Sequence, residues 1–239
     1  MIYPRIIAHR CGGALTPENT LAGLRLAARL GCRGVEFDAM LAADGVAVLM
    51  HDETLQRTTP ASGRVADTGS VRLAGLDAGS RHHPAFAGEP VPTLDEALRL
   101  CATLGLWANV EIKPSAGMEA ETGRVVARHA AAATGELVLS SFSAAALNAA
   151  GAEAPRLPRA MLVEAIPQDW RQRMAAAGAL ALHAAASSLV AADATAVRDA
   201  GYPLACYTVN RRDDAGRLFA MGVSAVFTDR PDLWLAPEM

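Results

Sequence analysis

Apolar positions along the chain fall into short runs separated by longer amphipathic stretches. Runs of strand type occupy residues 5–9, 34–39, 46–50, 107–112, 137–141, 159–164, 180–183, 204–209 and 225–228. Between most of them the apolar spacing is helical, over 19–31, 94–105, 119–133, 143–150, 168–177, 192–200 and 212–221. Strands separated by helices call for parallel pairing through crossover connections. One neighbouring pair breaks the rule: 34–41 and 46–50 are joined by "AADG", whose Asp44-Gly45 is a hairpin signal. Counting 46–50 as the antiparallel return of that hairpin leaves eight parallel strands. Eight such units in 239 residues predict a (β/α)8 TIM barrel with a small insertion after the second-strand hairpin. An open doubly wound sheet is the alternative, weakened because no G-x-G-x-x-G follows the first strand.

The insertion is the segment 54–92, which has no clear period and is rich in Gly, Pro, Ser and Thr. It is far longer than an ordinary connection, which predicts a functional cap or a small subdomain. The chain thus reads as one barrel domain over 1–239 carrying an inserted subdomain at about 54–92. Alanine-rich stretches at 130–133 and 184–192 blur the helix limits there.

Composition narrows the field of partners. With 51% hydrophobic and 20% charged residues the chain can bury a sizeable core, and a net charge of −3 without basic blocks speaks against nucleic acid or a membrane surface. No apolar run approaches a spanning helix, so no membrane insertion is expected. "MIYPRIIAHR" reaches strand-like sequence at once without a signal-peptide layout. Cys11, Cys32, Cys101 and Cys206 are scattered, with no C-x-x-C pair, and read as free thiols of a cytoplasmic protein.

The chemistry gathers at strand ends. In a barrel the active site lies at the carboxyl ends of the strands, and the first strand delivers His9 and Arg10 there. The second carries Glu36 and Asp38 in "GVEFDAM"; residues two apart share a face, so both carboxylates point one way and Val35 and Phe37 the other. "NVEIKP" repeats the arrangement with Glu111 and Lys113. A two-residue hairpin loop would set His51 opposite Asp38 and a four-residue loop opposite Glu36, so either even length keeps His51 on the carboxylate face. Three carboxylates without a thiolate or a histidine cluster suit a hard divalent cation, Mg²⁺ or Ca²⁺. Two histidines beside it can serve as general acid and base, Arg10 offers a fork for phosphate, and Lys113 adds a point charge. Such a set suits phosphate-ester cleavage better than carbonyl chemistry.

The stretches "AHRCGG…PENT", "VEFDAMLAADGVAVLMHDETLQRTT", "PTLDEAL", "NVEIKP", "LSSF" and "YTVN…GVSAVFTDRP", in this order, resemble the glycerophosphodiester phosphodiesterases over nearly the whole chain. The likeness is strongest to the small cytoplasmic bacterial form that accompanies glycerol-phosphate uptake. It implies a barrel enzyme that hydrolyses glycerophosphodiesters to sn-glycerol 3-phosphate and an alcohol. It carries over His9 and His51 as the acid/base pair, Arg10 as phosphate ligand, Glu36, Asp38 and Glu111 as metal ligands, and Lys113 as a further cation. Segment 54–92 then corresponds to the family's small subdomain over the barrel mouth. Two positions depart from the pattern: Cys11 stands where Gly usually follows His-Arg, and Tyr207 where many members have Trp.

Each residue also has a plainer reading. His9 could be a satisfied structural histidine, His51-Asp52 a turn, and Glu111–Lys113 an ion pair on the rim. Phe142, His183 and Tyr207 end strands and are candidates to wall the substrate pocket, with barrel packing as their alternative. His82, His83 and His129 read as surface residues, and Cys11 as a buried inert thiol. Two other functions stay in view: a different metal-dependent barrel enzyme acting on phosphorylated substrates, and an inactive relative that only binds glycerophosphodiesters. A homodimer is an open alternative to the monomer.

Overall fold

The computed structural model describes residues 2–234; Met1 and residues 235–239 of the expected 1–239 domain lie outside them. In chain order the elements are β1 (Ile6–Ala8), α1 (Leu21–Arg29), β2 (Gly34–Leu41), β3 (Ala47–Leu49), α2 (Ser70–Ala74), α3 (Leu94–Leu104) and β4 (Trp107–Ile112). They continue as α4 (Glu119–Ala132), β5 (Leu137–Ser141), α5 (Ala144–Glu153), β6 (Arg159–Val163), α6 (Trp170–Ala177) and β7 (Ala181–Ala185). The last are α7 (Ala191–Asp199), β8 (Leu204–Tyr207), α8 (Arg212–Ala220) and β9 (Ala225–Thr228). β1 pairs in parallel with both β2 and β9, which closes the sheet into a barrel and excludes the open doubly wound alternative. Among the strands of the described residues, β3 alone runs antiparallel, against the carboxyl end of β2.

Side-chain alternation sorts every strand between two environments. On β2, Val35, Phe37 and Ala39 face the helix layer, as do Ala108, Val110 and Ile112 on β4. The intervening Glu36, Asp38, Asn109 and Glu111 are therefore turned into the barrel. At the amino ends of the strands the interior is filled by small residues, Ala160, Ala181, Ala205 and Ala225, against Trp107 and Phe227. That spare room admits Tyr3, whose ring lies 5.0 Å from Trp107 and plugs the barrel from below.

The hairpin differs from both loop lengths expected of it. Ala39 faces Leu49, and the Ala42 amide donates to the Val46 carbonyl at 2.9 Å, leaving Ala43, Asp44 and Gly45 as an odd-numbered loop. Gly45 takes φ 78°, the left-handed position that such a loop needs. In this register His51 would fall opposite Phe37, on the wrong face. β3 stops at Leu49, however, and bends over residues 51–53 turn His51 back to the carboxylate side.

Segment 54–92 is small but folded. Leu55, Val65, Leu73, Ala78 and Val91 form an apolar cluster with Met40, Val48 and Met50 of the hairpin. Isolated bridges join Thr54 to Arg64 and Asp77 to Pro90.

Candidate active site

The loop after β1 is held tightly. Gly13 takes φ 61°, and a Cβ there would lie 2.3 Å from the Asp229 carbonyl oxygen, so only glycine lets the segments after β1 and β9 approach this closely. Arg10 and Cys11 also lie in the left-handed region, at φ 50° and 75°. For L side chains this is strain of about 1–3 kcal/mol each, stored beside the site. Cys11 is thus at a position that would suit glycine, and its side chain fits because Gly23 faces it: a Cβ on Gly23 would come within 2.8 Å. All four cysteines are buried free thiols.

Glu36, Asp38 and Glu111 converge, with one oxygen from each lying within 4.8 Å of the others. Burial first, and then the Asp38 charge, push Glu36 up to about 8. The same two causes push Glu111 up to about 7, against the pull of Lys113. Burial would raise Asp38 too, but Lys113, His51 and a hydrogen bond from Asn19 outweigh it and hold Asp38 below its usual value. Asn19 Nδ2 donates to Asp38 Oδ2 at 2.8 Å, and Lys113 Nζ lies 3.3 Å from both Asp38 and Glu111. One oxygen of Glu36, Oε2, accepts from the Arg10 amide at 2.8 Å, while its Oε1 is buried without a hydrogen-bond partner among the described residues.

The two histidines share a design. His9 Nδ1 is bonded to Asp229 Oδ1 at 2.7 Å, and His51 Nδ1 to Asp52 Oδ1 at 2.6 Å. A carboxylate on Nδ1 selects the Nδ1–H tautomer and leaves Nε2 as the ring nitrogen free to accept a proton. His9 Nε2 lies 3.8 Å from Glu36 Oε2. Burial alone would lower His9, but Asp229 and Glu36 hold it above its ordinary value; burial, with Lys113 and Arg10, leaves His51 below its own.

Arg57 ties this layer together from the inserted segment. Its Nε donates to Asp52 at 2.5 Å, its Nη1 and Nη2 to Glu18 at 2.6 and 2.8 Å, and Glu18 also accepts from Arg10 at 3.1 Å. A continuous chain of charge-assisted bonds therefore joins Arg10 to His51.

His9, Arg10, His51 and Lys113 line one cavity of about 200 Å³ with the three carboxylates. Phe142 and Tyr207 stand edge to face at its side, centroids 6.0 Å apart, and Tyr207 is fixed by donating to the Val163 carbonyl at 2.7 Å. His183 reaches the same cavity from inside the barrel and is fully buried. His82 lines a neighbouring cavity of about 390 Å³ that shares His9 and Arg10, and His129 pairs on the outside with Asp95. Sequence reasoning passed over Asp229, Arg57, Glu18 and Asn19. Of these, Asp229 had a usable signal: it directly follows the last strand, which closure of a barrel sets beside the first.

The chain matches the glycerophosphoryl diester phosphodiesterase family over residues 9–233. It is 31% identical over 232 residues to a glycerophosphodiester phosphodiesterase of Caldanaerobacter subterraneus, covering 95% of this chain and 94% of that one. An Oleispira antarctica phosphodiesterase, solved in complex with its product sn-glycerol-3-phosphate, superposes with a TM-score of 0.93 at 36% identity, over 96% of this chain and 94% of the other. A glycerophosphodiester phosphodiesterase from Agrobacterium tumefaciens gives a TM-score of 0.76 at 26% identity, over 98% and 99%.

Proposed function

From the premise that this chain belongs to the glycerophosphoryl diester phosphodiesterase family, we propose that it hydrolyses glycerophosphodiesters to sn-glycerol 3-phosphate and an alcohol, using a divalent cation and two histidines. Phosphodiesterase activity itself follows from the family and the relatives above. The metal and the histidine roles rest on one observation: three buried carboxylates converge between two histidines, each oriented by its own acid. Those orienting acids also argue against a relative that merely binds, since binding alone does not need oriented imidazoles.

The residues fit a cation. Glu36, Asp38 and Glu111 supply only hard oxygen donors, and Glu36 Oε1 is a buried acceptor with no partner among the described residues, as a waiting ligand would be. Mg²⁺ or Ca²⁺ held there would acidify a nearby hydroxyl and offset phosphoryl charge. Arg10 holds a non-bridging phosphate oxygen and Lys113 stabilises the charge that develops. One histidine Nε2 takes a proton from the attacking group while the other protonates the leaving alcohol. Phe142 and Tyr207 wall the substrate's apolar edge. The four unpaired cysteines fit a reducing cytoplasm, and no helix among the described residues is long and apolar enough to cross a membrane. Following glycerophosphocholine by phosphorus NMR tests the reaction: sn-glycerol 3-phosphate and choline are expected, whereas phosphocholine or an unchanged spectrum would contradict it.

Two further outcomes follow from the site's electrostatics. Glu36 and Glu111, at about 8 and 7, keep protons in the metal-free fold that the unfolded chain loses near 4.5. Both groups therefore weaken the metal-free protein as pH rises from about 4.5 to 8, and a cation must displace their protons. Calorimetry in buffers of different ionisation heat should show Mg²⁺ or Ca²⁺ affinity rising between about pH 6 and 8 with net proton release; pH-independent binding without release would contradict it. The second outcome concerns Arg57, which holds Asp52 against His51. Arg57→Ala should lower kcat about 10²-fold, as expected of a misplaced catalytic group, with less change in KM. An unchanged kcat would show that the bridge is only a surface ion pair.

A further inference from the structure

Deeper in the barrel, the same cavity is lined by two residues that each carry a buried polar atom left unpaired among the described residues. Asn109 turns inward from β4 between Trp107 and Glu111 and is 2% exposed. Its Nδ2 donates to Ser140 Oγ at 2.9 Å, while Oδ1 is buried with no hydrogen-bond partner among the described residues. His183 turns inward from β7 and is fully buried. Its Nε2 is bonded to the Tyr3 hydroxyl at 2.8 Å, and its Nδ1 is likewise buried and unpartnered. Both residues line the cavity of about 200 Å³. Buried polar groups are almost always paired, so two unpaired ones in a single small cavity mark a place where a ligand completes the bonding.

The pair is specific in what it accepts. Asn109 Oδ1 can only accept. Burial pushes His183 down to about 3, so its ring is neutral. When the Tyr3 hydroxyl donates to Nε2, the ring proton lies on Nδ1, which then can only donate. One acceptor and one donor on residues lining the same cavity match a group that both gives and takes a hydrogen bond. An anion would meet Asn109 Oδ1 and the carboxylates above it, and an ammonium would meet the Nδ1–H. Besides the charged groups, Leu162 and Phe227 line the cavity, and Ala181 and Ala205 belong to the apolar barrel interior. These walls disfavour any charge. A small neutral group that both donates and accepts, an alcohol hydroxyl or a water, fits the pair.

We propose that Asn109 and His183 form a hydroxyl-recognition subsite for the glycerol arm of the substrate. The terminal hydroxyl of glycerol, the one not adjacent to the ester, donates to Asn109 Oδ1 and accepts from His183 Nδ1–H. This rests on the phosphodiesterase reading: Arg10 and Lys113 keep the phosphate at the rim, the unvarying glycerol arm enters the closed end, and the variable alcohol stays toward the mouth. Tyr3 becomes a positioning residue, fixing the His183 tautomer from the barrel floor.

The test compares glycerophosphocholine with its analogue lacking only the terminal hydroxyl, a propane-1,2-diol phosphocholine diester, on the unaltered protein. Loss of that hydroxyl leaves two buried groups unpaired again, so kcat/KM should fall about 10²-fold or more. Asn109→Leu and His183→Phe should lower kcat/KM for glycerophosphocholine and bring the ratio between the two substrates toward one. The comparison on the unaltered protein stands even where a variant melts early. Equal kcat/KM for both substrates on that protein, or an unchanged ratio in folded variants, overturns the proposal and leaves the floor to water. Failure to hydrolyse either diester would overturn the phosphodiesterase reading and this subsite with it.

Discussion

Replacing His9 or His51 with alanine is expected to lower kcat roughly 10²–10⁴-fold, the usual worth of general acid–base catalysis, while divalent-cation binding is retained. Neither ring belongs to the carboxylate cluster, and each is held through Nδ1 by an acid outside it, Asp229 for His9 and Asp52 for His51. Deleting a ring removes a proton-transfer group and leaves Glu36, Asp38 and Glu111 in place. Steady-state kinetics combined with metal-binding calorimetry separates the two functions. Wild-type kcat in either variant would make that histidine structural, and lost metal binding would make it a ligand.

The second large effect concerns the attacking group. A glycerophosphodiester carries a hydroxyl on the carbon beside the ester oxygen, already near phosphorus, so its deprotonation gains a proximity that free water lacks. Two oriented histidines suit a two-step course: the hydroxyl attacks to give a cyclic phosphate as one histidine takes its proton and the other protonates the departing alcohol. The roles then reverse as water opens the ring. An analogue lacking this 2-hydroxyl should bind with similar affinity and scarcely be cleaved. Cleavage at a rate near that of the parent diester would make water the nucleophile.

Much of this architecture is legible in the sequence because barrels repeat a simple grammar. Strands β4, β5 and β9 match their expected limits, since each is a compact apolar run bounded by turn residues or helix starts. Alternation along "VEFD" and "NVEIK" placed Glu36, Asp38 and Glu111 on one wall for the same reason: period two leaves no choice once one face is apolar. The hairpin shows where such reasoning fails. Its odd loop reverses the parity on which the placement of His51 relied, and a bend after Leu49 restores the position by a route that no alternation pattern encodes. Arg57 was illegible because the inserted segment has no period, and its partners Glu18 and Asp52 meet it only in three dimensions. His9 and Asp229, 220 residues apart, are joined by ring closure alone. His183 could have been placed inside the barrel by parity with Ala181, but its free Nδ1 depends on Tyr3, which enters from outside the strand pattern.

The most direct measurement of the central claim is the rate of glycerophosphocholine hydrolysis by protein stripped with chelator, verified metal-free by elemental analysis, before and after adding Mg²⁺ or Ca²⁺. The carboxylate cluster calls for no turnover in the stripped protein and recovery with either cation. Full activity in excess chelator with no residual metal would contradict it.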